Sequence, residues 1–163
     1  MREIQLTRGL MAIVDDSDFE MLSRWKWYAM KVGKLNGRPK YYAARTDYKT
    51  RKCVLMHREI MIPSDILTVD HRNPDATLDN RRQNLRLATN AENSQNQRKR
   101  LGKTTSRFKG ICFQSDRRTW EASVCASGKR IRVGRIRDEA DAAQIYNLLA
   151  LEAFGQFARM NQS

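Results

Sequence analysis

Leu67-Thr68-Val69-Asp70-His71, then Asn73-Pro74-Asp75, then Leu78-Asp79-Asn80-Arg81-Arg82-Gln83-Asn84-Leu85-Arg86-Leu87-Ala88-Thr89 and Ala91-Glu92-Asn93-Ser94-Gln95-Asn96, form the stretch on which the fold turns. The residues before Asp70 suit a strand, and Asn73-Pro74-Asp75 suits a turn. Leu85 to Thr89 suit a second short strand, and Thr89 or Asn90 can cap a helix through the polar run that follows. The expected order is strand, loop, strand, helix. Asp70 and His71 then end the first strand, Asn84 opens the second, and Asn93 lies within the helix. Adjacent strand residues point to opposite faces, so Asp70 and His71 can serve one site only if the strand ends or distorts there.

These residue types suit phosphodiester cleavage. That reaction needs a base to activate water, a cation to offset charge in the transition state, and help for the leaving oxygen. His71 suits the base, because imidazole titrates near neutral pH. Asp70 and Asn93 offer hard oxygen ligands of the kind Mg²⁺ prefers, with Mn²⁺ as the alternative. Asn84 suits a support for the His71 ring or for the loop that holds it. The same residues also suit a structural Asp-His pair with amide-capped turns.

Outward from this stretch, charge defines the partner. Among 163 residues, 31 Lys and Arg stand against 18 Asp and Glu, a net charge of +13. The excess is six over residues 1–56, three over 57–103 and four over 104–163, so no single basic tail accounts for it. A polyanion is the implied partner. No run approaches the roughly 20 apolar residues of a spanning helix, and the first residues lack an apolar signal core. Nucleic acid is therefore favoured over a membrane surface. Cys53, Cys112 and Cys125 are too few for a four-cysteine zinc site, and the histidines lack zinc-finger spacing. No structural zinc or disulfide framework is expected, and the chain reads as intracellular.

The flanks read as sheet modules. Ile4 to Leu6 and Leu10 to Val14 are expected strands around Arg8-Gly9, with a helix capped from Asp15 to Asp18. Further strands are expected at 25–29, 41–45 and 54–57, with a turn over 33–39. Residues 95–107 are basic and nearly free of apolar side chains, as in a linker or arm. Beyond it, strands are expected at 108–113, 119–125 and 130–134. A helix is expected from Glu139 to Ala153, with Asp138 as N-cap and Gly155 near its end.

The stretch around Asp70-His71, with Leu78 to Arg86 and Glu92-Asn93-Ser94, resembles the HNH endonucleases of the phage and homing branch. The resemblance implies a ββα-metal fold with His71 as general base, Asp70 and Asn93 as metal ligands and Asn84 as the supporting residue. Asn93 replaces the final histidine of the HNH letters, and His57 matches a recurrent position just before the site. The last segment resembles the DNA-binding domain of plant ethylene-response factors through Phe108 to Ile111, Trp120-Glu121-Ala122, Val133-Gly134, Ala140 to Tyr146 and Phe154-Gly155 to Asn161. That resemblance implies a three-stranded sheet in the major groove of double-stranded DNA, where arginine commonly reads guanine.

The expected organisation is α+β in four parts. These are a β-rich DNA-contacting segment (1–54), a nuclease module (55–97), a basic linker (98–107) and a DNA-binding domain (108–161) with a three-stranded antiparallel sheet on one helix. DNA contacts are expected from Arg98, Lys99, Arg100, Lys103, Arg107, Lys109, Arg117, Arg118, Trp120, Arg130, Arg132 and Arg135. The expected function is a metal-dependent, site-specific DNA endonuclease, monomeric or homodimeric, acting inside a phage-infected cell. A DNA-binding regulator without activity and an RNA-directed protein are the alternatives from other classes.

Overall fold

The computed structural model describes residues 1–35, 38–99 and 104–162. The protein is α+β, built from small antiparallel sheets and helices that form two compact units, Met1–Asn90 and Ala91–Ser163.

In the first unit, β1 (Arg2–Gln5) and β2 (Met11–Val14) pair around a tight turn where Arg8 and Gly9 both adopt positive φ. Helix α1 (Asp16–Ser23) follows. Strand β3 (Tyr28–Leu35), β4 (Arg38–Thr46) and β5 (Cys53–Leu55) make a three-stranded sheet. The strand expected at 25–29 starts only at Tyr28. Trp27 is instead fastened to the end of α1, its indole donating to the Leu22 carbonyl at 2.8 Å. The turn expected over 33–39 is narrower, because β3 and β4 stay paired past a bulge between Lys31 and Gly33.

Helix α2 (Met56–Met61) corrects a second expectation, since Met56 and His57 are helical rather than extended. One short helix buries Met56, His57 and Ile60 together, spacing that a strand could not provide. It is closed by Ile62 in the left-handed region. Strands β6 (Thr68–His71) and β7 (Leu85–Ala88) then pair antiparallel. One core gathers Leu6, Val14, Leu22, Trp27, Ala43 and Met56 with Val69 and Leu85, so the N-terminal sheets and the β6–β7 ladder are packed as a single body.

The second unit begins within helix α3 (Asn90–Gln95). Strands β8 (Ile111–Gln114), β9 (Thr119–Ala126) and β10 (Lys129–Ile136) form an antiparallel sheet packed on helix α4 (Glu139–Phe154). Asp138 caps α4, its carboxylate accepting from Ala140 and Asp141 N–H at 2.7 and 3.2 Å. Ala142, Ala143, Tyr146 and Ala150 form the buried stripe, against Ile111, Ala122 and Val124 of the sheet. Phe108 to Gly110, expected as strand, form a turn before β8. Gly110 has φ +72 and lies under the Tyr146 ring, where a Cβ would collide. Among the described residues, no helix is long and apolar enough to cross a membrane.

Candidate active site

The loop between β6 and β7 is held from both sides. Asn84, just before β7, accepts from the Asn73 N–H at 3.0 Å and donates to the carbonyls of Ala76 and Asp79 at 3.2 and 2.8 Å. Both its amide donors are thereby used on loop backbone. The far side of the loop is tied to the N-terminal hairpin. Ile13 donates to Leu78 O and Asn80 N–H donates to Ile13 O, at 2.9 and 2.8 Å. Arg82 adds a two-point ion pair to Asp18, and Thr77 donates to Tyr41 O at 2.7 Å.

Strand β6 stays paired through its last residue, with Asp70 opposite Arg86 and His71 opposite Leu85. It ends at His71, as expected, without distortion before that point. Cross-strand partners share a face of a ladder, and Arg86 donates from Nε and Nη2 to Asp70 Oδ2 at 2.8 and 2.6 Å. Both side chains are 6% exposed.

His71, 4% exposed, sits among rings. Tyr42 of β4 stacks on it at 5.7 Å between centroids and 13° between planes. His57 of α2 meets it edge-on at 4.9 Å and 73°, and meets Tyr42 edge-on at 5.1 Å and 70°. Burial pushes the His71 imidazole down to about 4, and Lys40 adds to that push. The neighbouring Asn80 side-chain amide and the charges of Asp70 and Asp79 act in the opposite direction. Burial, followed by the neighbouring His71 and Arg58, pushes His57 down to about 3. Its Nδ1 is buried without a hydrogen bond. Burial raises the Tyr42 hydroxyl, and the Asp70 charge raises it further. Both imidazoles are therefore neutral at pH 7, the form that accepts a proton.

Among the described residues, no three His, Cys, Asp or Glu side chains gather as a metal site. The Asp70 carboxylate, with the two Arg86 donors directed to Oδ2, has donor chemistry that fits one position around a hard cation.

The chain is 37% identical over 155 residues to an uncharacterized HNH endonuclease of Acanthamoeba polyphaga mimivirus, a match covering 95% of this chain and 76% of that protein. The chain belongs to the HNH endonucleases. No family model matches it, and no solved structure matches it.

In this HNH endonuclease, the first unit brings together Asp70, His71 and Asn84. Asn93 lies half-buried on α3, in the second unit. The basic residues divide into two groups. Arg117, Arg118, Arg130, Arg132 and Arg135 are exposed, and Arg107 is exposed with its guanidinium 4.7 Å over the Phe108 ring. Arg130 and Arg132 pair with Cys125 and Ser123, on the face of the sheet opposite Ala122 and Val124 and hence away from α4. Arg98 is half-buried.

Lys99 and Lys109 are placed differently from that surface set. Lys99 donates to the carbonyls of Ser106 and Phe108, both at 2.7 Å, and Lys109 donates to those of Gln95 and Gln97 at 2.6 and 2.8 Å. These ammonium groups fasten the segment after α3 to the start of the sheet. Trp120 lies on the helix side of the sheet, packed on the core and edge-on to Phe113 at 4.9 Å. Arg100 and Lys103 lie outside the described residues.

Three residues at the site of this HNH endonuclease escape a reading of the motif. Arg86 was legible in principle, since antiparallel register places it opposite Asp70. Asn80 sits within the motif, but nothing in its spacing marks it as the asparagine beside the imidazole. Tyr42 has no signal at all, as it reaches His71 from a separate sheet.

Proposed function

We propose that this HNH endonuclease is a metal-dependent, site-specific endonuclease of the homing type that hydrolyses double-stranded DNA. The observation that supports it most is the enclosed His71 beside Asp70, in a chain of this family. His71 accepts the proton of the attacking water. Asn84 keeps the 73–79 loop in shape around the base. Asp70 and Asn93 supply oxygen ligands to a divalent cation, with Mg²⁺ ahead of Mn²⁺ on ligand hardness. Bound there, the cation supplies charge to offset the phosphate and the departing oxygen. Hydrolysis leaves 5′-phosphate and 3′-hydroxyl ends, following the family resemblance.

Recognition falls to the flanks. The open face of the C-terminal sheet, with Arg130 and Arg132, reads the major groove in the manner of the ethylene-response factors it resembles. Arg117, Arg118, Arg135, Arg107 and Arg98 hold the phosphates around it, with Arg100 and Lys103 of the same basic run. Residues 1–54 grip the DNA, 55–97 cut and 108–161 choose the site, with 98–107 joining them. Each chain brings one active site, so a monomer nicks, and a homodimer or successive nicks break both strands.

The test is direct. Sites are selected from a random duplex library by binding, cloned into a supercoiled plasmid, and incubated with the protein in Mg²⁺ or in EDTA. Nicked or linear product in Mg²⁺ alone is expected. A plasmid that is bound at its selected site and left intact in Mg²⁺ and Mn²⁺ overturns the proposal.

A further inference from the structure

The residue pattern alone leaves open whether Asn84 steadies the His71 ring or the loop that holds it. All the side-chain hydrogen bonds of Asn84 go to loop backbone, and its two amide donors are consumed there. The orientation of the imidazole therefore has another source. The plane of an imidazole matters to a base, because the accepting lone pair lies in the ring plane and must meet the water along that direction.

Resting on the nuclease reading above, we propose that Tyr42 is a positioning residue for His71, its ring fixing the plane of the imidazole from outside the HNH motif. Three observations converge on this. The two rings are within 13° of parallel at a stacking separation. His57 stands edge-on to both, so neither ring can tilt without meeting the third. The sheet holding Tyr42 is tied to the motif loop through Thr77 on the Tyr41 carbonyl, and the separate β1–β2 hairpin holds the same loop through Ile13 on Leu78 and Asn80. The N-terminal sheet thus forms a wall of the active site in addition to any grip on DNA.

The role belongs to the ring and not to the hydroxyl, which separates three variants. With the full chain and the selected plasmid, single-turnover cleavage by Tyr42→Leu is expected to fall about 10- to 100-fold, the loss that misplacement of a catalytic group produces. Gel-shift affinity should stay within about twofold. Tyr42→Phe, which keeps the ring, should restore cleavage to within about threefold of wild type. If Tyr42→Leu does not fold, Tyr42→Met keeps similar bulk without a ring and replaces it. A second readout needs no cleavage: carbethoxylation of His71 by diethyl pyrocarbonate, followed by mass spectrometry. It should be slow in wild type and Tyr42→Phe, and at least about fivefold faster without the ring.

Cleavage by a folded Leu or Met variant within twofold of wild type overturns the proposal, as does a Phe variant as impaired as Leu. Equal carbethoxylation of His71 in all variants also overturns it. If the wild-type protein cuts no DNA, the nuclease reading fails by itself, and the protection of His71 still decides whether Tyr42 positions that ring.

Discussion

Arg86 donates twice to one oxygen of Asp70, at 2.8 and 2.6 Å, from directly across the β6–β7 ladder. Both groups are buried at 6% exposure, so each is the other's compensation for lost water. The residue beside the proposed base is thus held by the strand that follows the motif loop.

Removal of the guanidinium leaves a buried carboxylate without that partner. Arg86→Ala is expected to destabilise the first unit by about 3–5 kcal/mol, the usual cost of breaking a buried pair from one side. Urea unfolding followed by tryptophan fluorescence measures it, since Trp25 and Trp27 both lie in that unit. A loss below about 1 kcal/mol, typical of an exposed pair, would mean that water reaches Asp70.

Asn84→Ala removes three hydrogen bonds to the loop backbone at once. A stability loss of about 1–3 kcal/mol is expected from the unsatisfied loop groups. Cleavage should fall further than stability accounts for, with DNA binding preserved. A variant that cuts at the wild-type rate while folded would remove Asn84 from the account.

Acid should loosen the first unit through its buried histidines. His57 titrates at about 3 in the folded chain and near 6.5 when unfolded. Between those values the unfolded chain binds the additional proton. The contribution of His57 is therefore complete above about pH 6.5 and is lost as pH falls toward 3, by about 1.4 kcal/mol per pH unit. Urea midpoints at pH 7, 5 and 4 should show a shallower acid slope in His57→Phe, which keeps a ring and cannot titrate. Parallel slopes in the two proteins would contradict the buried neutral His57.

The second unit offers a paired test at two glycines. Gly110 has φ +72 with the Tyr146 ring upon it, while Gly128 has φ +74 in open space. Gly110→Ala should cost about 2–4 kcal/mol, from overpacking and left-handed strain together. Gly128→Ala bears the strain alone, about 1–2 kcal/mol. Differential scanning calorimetry resolves the two, and equal losses would remove the ring contact from the argument.

Much of this architecture is legible in the sequence because it rests on local signals. The motif's strand, loop, strand and helix depend on alternation, turn residues and capping within thirty residues. The C-terminal hairpins and the Asp138 cap are equally local. What the sequence hides is long-range. Trp27 looks like a strand residue until its indole finds the end of α1, and His57 looks extended until α2 must bury Met56 and Ile60 together. Lys99 and Lys109 look like phosphate contacts, since nothing local reveals that backbone carbonyls await them. Tyr42 escapes for the same reason, because stacking on His71 follows from how two sheets pack.

The role of His71 as the base is tested most directly by cleavage of the selected plasmid by His71→Ala in Mg²⁺, with gel-shift affinity measured on the same DNA. Wild-type cutting that falls by at least about 100-fold in the variant, the scale of general-base catalysis, with affinity unchanged within about twofold, is the expected result. Cutting by folded His71→Ala at a rate close to wild type would contradict it.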